Sequence, residues 1–248
     1  MAVHYEQIGS VAVITIARPH RRNAIDRATA AALGEAWLRF DADDEALVGV
    51  LTGSGGNFSA GADLKEFDLE ETTGGWLGFT RTRVGKPTIA AVSGHCVGGG
   101  LEMALWCDLR VVGEDAVLGC FERRFGVPLA DGGTQRLPRI VGLSRALDMI
   151  LAGRPVAADE AHRIGLADRL VAPGRELAEA LDLAETIASF AQATVRSDRA
   201  AVYEGLGIPI AAGLQLEADL GRTVLDTAVE GAARFAAGEG RGGRDLGS

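Results

Sequence analysis

Asn57-Phe58-Ser59-Ala60-Gly61-Ala62-Asp63-Leu64 and Gly94-His95-Cys96-Val97-Gly98-Gly99-Gly100-Leu101-Glu102 are the two stretches that decide how this chain folds. Each follows an apolar run with β-branched residues, 47–52 and 88–92, and each leads into a helix-like stretch. Small residues at such turns leave backbone N–H groups free to face a ligand, and a helix start adds partial positive charge. Two turns of this kind can clamp one developing oxyanion between two backbone donors. Glu102 then falls in the first turn of the second helix, beside the reacting atoms.

The rest of the N-terminal half has the same alternation. Residues 11–16 read as a strand, Pro19 and Asn23 mark a turn, and Asp26 is placed to cap a helix running to Phe40. The 47–52 strand is apolar on both faces, as a buried strand is. A short helical piece is expected around Leu64 to Phe67, and residues 68–80 read as a mobile loop. Strand 88–92, helix 98–107 and short strands 109–112 and 116–119 follow. Strands alternating with helices predict an α/β core with parallel pairing. After Gly132 the pattern becomes helical only: 133–141, 144–151, 158–164, 175–193 and 214–235. The Gly-rich tail 238–248 reads as fraying or disordered.

Composition sets outer limits. The 248 residues suffice for one domain, or one domain with a small appendage, and 47% hydrophobic with 24% charged residues is ordinary for a globular protein. A net charge of −9 argues against nonspecific binding to nucleic acid or an anionic membrane. The three cysteines, Cys96, Cys107 and Cys120, contain no C-x-x-C pair and read as reduced thiols in a cytoplasmic protein. No secretory leader or membrane span is expected. The four histidines have no metal-ligand spacing, so no metal site is expected. Residues 53–58 miss the third glycine of a dinucleotide turn, and no Ser stands in G-x-S-x-G.

Three carboxylates invite a chemical reading. Glu102 stands among Leu101, Met103, Ala104, Leu105 and Trp106, and a carboxylate sunk in such a helix has a raised pKa suited to acid–base work. Glu122 is either a second reacting carboxylate or a surface residue in a charged patch with Arg123 and Arg124. Asp131 is placed as a helix N-cap. Arg18, Arg21 and Arg22 around Pro19 make either a phosphate-holding cluster or a solvated basic turn.

With these residues in view, the chain resembles the enoyl-CoA hydratase/isomerase (crotonase) superfamily. Residues 57–66 and 98–102 look like its two signature turns. Arg18-Pro19 with Asn23-Ala24-Ile25 resembles its N-terminal motif, and residues 132–139 with Val141-Gly142 resemble its central helix. The resemblance implies an α/β spiral of ββα units, with a core over 1–190 and a helical C-terminal region over 191–248 that forms trimers, often paired into hexamers. It implies an acyl-CoA thioester as substrate and no separate cofactor. Its carbonyl oxygen would sit between the N–H groups of Ala60 and Gly99. Arg21, Arg22, Ala24, Gly61, Ala62, Asp63 and Leu64 would follow the CoA moiety. The two glutamates that add water in the hydratases fall on Glu102 and Glu122.

Three positions depart from the hydratase pattern. Arg123 and Arg124 stand where apolar residues are usual, so Glu122 is expected either to have a depressed pKa or to turn outward into an ion pair. Asp131 stands where a small residue is common, which leaves an enoyl-CoA or dienoyl-CoA isomerase using Glu102 with Asp131 as the alternative. A non-catalytic acyl-CoA-binding protein is the third reading.

Overall fold

The computed structural model describes residues 1–238. The chain opens with an antiparallel pair, β1 (Val3–Ile8) and β2 (Val11–Ile16). Helix α1 (Arg27–Ala42) follows. The Asp26 side chain accepts from the Thr29 amide and hydroxyl, as expected of a cap. Thr29, Ala30, Leu33, Ala36, Trp37 and Phe40 recur at helical spacing, and all are buried.

Strands β3 (Val48–Gly53) and β4 (Thr88–Val92) continue the sheet in parallel and are buried along nearly their whole length. β5 (His95–Val97) leads into α2 (Gly99–Trp106), and β6 (Leu109–Gly113) and β7 (Val117–Gly119) follow. Helices α3 (Gly133–Val141) and α4 (Leu143–Ala152), β8 (Val156–Ala157), α5 (Ala158–Arg163) and β9 (Arg169–Val171) complete the two sheets. The larger sheet runs β1-β2-β3-β4-β6-β9 and the smaller β5-β7-β8. β4 and β6 join the large sheet while β5 and β7 join the small one, so each strand pair turns a corner before the next helix, a ββα step.

One face of the large sheet packs on α1, α2 and the small sheet. The other is covered by α6 (Glu176–Ala188) through Ala180 and Ala184. The last helices are α7 (Gln192–Gly205), α8 (Ile210–Arg222) and α9 (Leu225–Ala237), the last two with no buried residue.

Several expectations are corrected. The region after Gly132 is not helical only, since β8 and β9 are short strands there. The helix expected over 214–235 is two, interrupted at Thr223 and Val224. α7 carries no apolar stripe to announce it. It is held instead by Arg199 Nε to Asp108 Oδ2 at 2.8 Å and Tyr203 hydroxyl to Asp108 Oδ1 at 2.5 Å. The piece near Leu64 is a single turn closed by Phe67 N–H to Asp63 O. The second half of the 68–80 loop is anchored in the interior, with Leu77, Phe79 and Thr80 all buried. The fraying or disorder expected over 238–248 lies, beyond Gly238, outside the described residues.

Candidate active site

The two glycine-rich turns are stitched side by side. Ser59 N–H donates to His95 O and Val97 N–H returns to Ser59 O. Asn23, at φ +55°, donates through Nδ2 to Ser54 O and Asn57 O and accepts Arg18 N–H, fixing the N-terminal motif to the same junction. Arg18 pairs with Asp26 at 2.8 Å and Asp63 at 3.1 Å. Arg18 is therefore an internal brace of the loop.

The amides at this junction correct one expectation. Ala60 N–H already donates to Arg22 O at 2.9 Å, so it is spent on the fold. The parallel bridge between Ile25 and Ala62 uses the N–H of Ile25 and Asp63, which leaves the Ala62 amide facing away from that bridge. Among the described residues, neither Ala62 N–H nor Gly99 N–H finds an acceptor. Both residues are half-buried. Gly61, between them at φ +82°, has no room for a side chain, because a Cβ there would lie 2.5 Å from Gly99 N. The pair of free donors is thus Ala62 and Gly99, with Gly99 at the first position of α2, where the helix adds partial positive charge.

Glu102 stands in the first turn of α2, as the spacing indicated, and is only 4% exposed. Its Oε1 accepts from Asp131 N–H at 2.9 Å and Gly133 N–H at 2.8 Å. Burial nevertheless pushes its pKa from 4.5 up to about 7, with the nearby Asp131 and Glu122 charges adding to the rise. At neutral pH this carboxyl can take or give a proton.

Glu122 points inward. It lies on a 3-10 turn, Phe121–Phe125, and both its carboxyl oxygens are buried without a hydrogen-bond partner in the protein. A Cβ on Gly98 would lie 3.4 Å from Glu122 Oε2, which places this carboxyl beside the second glycine-rich turn. Burial raises its pKa, and the Glu122 backbone amide and then the Arg123 charge oppose the rise only in part. The expected ion pair does not form, and the reason lies in α4. Arg124 donates through Nε and Nη2 to Gly153 O, at 2.9 and 2.7 Å, and stacks on Phe121; Arg123 reaches Ile150 O at 3.4 Å. The carbonyl-rich C-terminal end of α4 draws both guanidinium groups away from Glu122.

Asp131 is buried, but it is not the helix cap that the sequence suggested. Gly132 holds the cap position of α3. The Asp131 carboxylate accepts instead from Leu77 N–H at 3.2 Å and from the Thr80 hydroxyl. Arg136 donates to Asp131 O at 2.8 Å and to Thr80 O at 2.6 Å. The site roles of Leu77, Thr80 and Arg136 were missed, because they depend on where the 72–80 segment folds back.

The basic cluster divides. Arg18 is internal, Arg21 lies 3.3 Å from Glu66, and Arg22 is exposed at φ +50°. Ala24 and Asp63 are buried beside them, and Leu64 is exposed. Among the described residues no group of His, Cys, Asp and Glu side chains is placed to hold a metal ion, and no helix is long and apolar enough to cross a membrane.

A family model described as Enoyl-CoA hydratase/isomerase matches residues 6–239. A probable enoyl-CoA hydratase of Rhizobium meliloti (strain 1021) is 42% identical over 242 residues, covering 94% of this chain and 93% of its own length. The short-chain-enoyl-CoA hydratase of Clostridium acetobutylicum is 37% identical over 223 residues, covering 86% of this chain and 85% of its own. Among solved structures, the enoyl-CoA hydratase EchA1 from Mycobacterium marinum superposes with a TM-score of 0.91 at 35% identity, covering 95% of this chain and 96% of that one.

Proposed function

The chain belongs to the enoyl-CoA hydratase/isomerase family, and from that premise we propose that it is an enoyl-CoA hydratase, adding water across the 2,3 double bond of a 2-enoyl-CoA. The thioester oxygen accepts from Ala62 N–H and Gly99 N–H, which stabilise the enolate-like state. Removing one such donor typically lowers the rate roughly 100–1000-fold. Glu102 and Glu122 hold the attacking water between them. Its oxygen bonds to C3 as one carboxylate takes its proton, and the other carboxyl delivers a proton to C2. The two carboxyls titrate as a coupled pair.

The observation that carries this reading is the Glu122 carboxyl, buried with neither oxygen partnered by the protein. A buried carboxyl without a partner is costly, and a water or substrate that donates to it supplies the missing hydrogen bonds. The isomerase reading needs Asp131 as the proton-transfer group, but its Oδ1 is engaged by Leu77 and Thr80. The test is turnover of crotonyl-CoA, followed by loss of the conjugated enoyl absorbance. The parent should turn over, while Glu102→Gln and Glu122→Gln should each lose activity and keep CoA-ester binding. Full activity in Glu122→Gln would remove it from the mechanism.

The remaining features fit this activity. Arg21 and Arg22 attract the CoA phosphates, and Ala24 with residues 60–64 lines the path of the CoA chain, with no further cofactor needed. We take residues 1–190 as the ββα core and the chain from residue 191 on as the C-terminal region, helical over its described residues. We assign that region to assembly as a trimer or a hexamer. Exposed Val202, Leu206, Ile210, Leu214, Leu225 and Val229 support it, since apolar surface of this kind marks contact sites. Light scattering of the purified protein tests it. The buried unpaired cysteines and acidic charge suit the cytoplasm.

A further inference from the structure

We propose that Asp131 is a positioning residue that ties the acyl-side segment 72–80 to the peptide orienting Glu102, and through Leu77 sets how much acyl chain the site admits. The proposal rests on the hydratase reading. It starts from a closed set of contacts. The Asp131 backbone N–H orients Glu102 Oε1, its carbonyl is held by Arg136, and its side chain holds Leu77 N–H and the Thr80 hydroxyl. Arg136 closes the set by donating to Thr80 O.

The segment so held reaches the oxyanion donors. A Cβ on Gly99 would lie 2.9 Å from Leu77 Cδ1, so Leu77 packs directly over the residue whose amide meets the thioester oxygen. Gly75, at φ +95°, folds onto the same carboxylate, because a Cβ there would lie 2.6 Å from Asp131 Oδ1. One buried carboxylate therefore fixes two distances: from Glu102 to the reacting carbons, and from Leu77 to the start of the acyl chain. A side chain without an oxygen at position 131 frees the segment. Asparagine keeps the Oδ1 acceptor and removes only the charge.

Three variants separate the roles, assayed with crotonyl-CoA and with decenoyl-CoA. Asp131→Asn should keep kcat within about threefold and move a limb of the kcat profile to lower pH, since removing a nearby negative charge favours ionised Glu102. Asp131→Ala should lose at least about tenfold in kcat/KM for crotonyl-CoA through misplacement of the reacting groups. It should also gain decenoyl-CoA turnover relative to crotonyl-CoA. Leu77→Ala should reproduce that change in length preference and leave the pH profile in place. Loss of kcat in Asp131→Asn equal to that in Asp131→Ala would overturn the proposal and make Asp131 a proton-transfer group. So would an unchanged length preference in both alanine variants. Failure of the parent to hydrate any enoyl-CoA would refute the hydratase reading instead. Hydrogen exchange then decides the tether: faster exchange at the Leu77 amide in Asp131→Ala but not in Asp131→Asn supports it, and equal exchange refutes it. If Asp131→Ala does not fold, the pH shift in Asp131→Asn and the length preference of Leu77→Ala decide the proposal.

Discussion

Replacing Glu102 by glutamine should make the protein more stable at alkaline pH while removing its turnover. The carboxyl is 4% exposed and its pKa rises from 4.5 to about 7, chiefly through loss of water around the charge. At about 1.4 kcal/mol per pH unit, keeping it ionised in the folded protein costs about 3 kcal/mol relative to the unfolded chain. The sign follows from proton counting. Between pH 4.5 and 7 the folded state binds more protons at this group than the unfolded state, so stability falls as pH rises through that window. The full cost is present above pH 7 and absent below 4.5. Glutamine keeps an oxygen for the Asp131 and Gly133 amides and carries no charge. Glu102→Gln should therefore match the parent near pH 4.5 and exceed it at pH 8 by up to about 3 kcal/mol. Thermal melts at the two pH values measure this, at roughly 2–4 °C per kcal/mol for a chain of this size. A stability difference that does not change with pH, or a variant less stable than the parent at pH 8, would refute desolvation as the cause.

Other perturbations test separate parts of the site. Gly61→Ala places a Cβ against Gly99 N at a backbone angle few side chains adopt, and kcat/KM for crotonyl-CoA should fall by about 100-fold or more; a fall of less than threefold would remove the Gly99 amide from the mechanism. Arg18→Met leaves buried Asp63 without its cation and should destabilise by about 3 kcal/mol in urea unfolding. Arg124→Met frees the Glu122 turn from Gly153 O and should lower kcat with little change in KM, as a loss of positioning does; a rise in KM at constant kcat would place Arg124 in substrate binding.

Local rules read much of this molecule correctly. The Asp26 cap, the buried strands expected over 47–52 and 88–92 (the first found one residue later, at 48–53) and the placement of Glu102 follow from residue periodicity and turn chemistry alone. What escaped depends on contacts distant in sequence. β1 carries Glu6 and Gln7 on an edge strand and gains its register from β2. The Ala60 amide was assigned as a donor because it opens the glycine turn, but the left-handed Arg22 aims its carbonyl at it. Asp131 sits where a cap belongs, and its carboxylate is drawn to donors 51 and 54 residues earlier in the chain.

Arg123 and Arg124 show how direction, more than proximity in sequence, governs electrostatics. A guanidinium adjacent to a carboxylate in the chain suggests an ion pair, but the C-terminal end of α4 presents carbonyls on the opposite side and takes both cations. That outward pull leaves Glu122 facing inward with no cation bound to it, so burial dominates and its pKa rises. The same arginines that suggested a charged surface patch in the sequence thus leave the Glu122 carboxyl turned inward. The unpaired groups share one logic: Ala62 and Gly99 offer donors without acceptors, and Glu122 offers acceptors without donors. In the hydratase reading, the charge that builds on the thioester oxygen is the acceptor that the two amides lack, and the attacking water donates to Glu122, so the donors meet their strongest partner as the reaction proceeds.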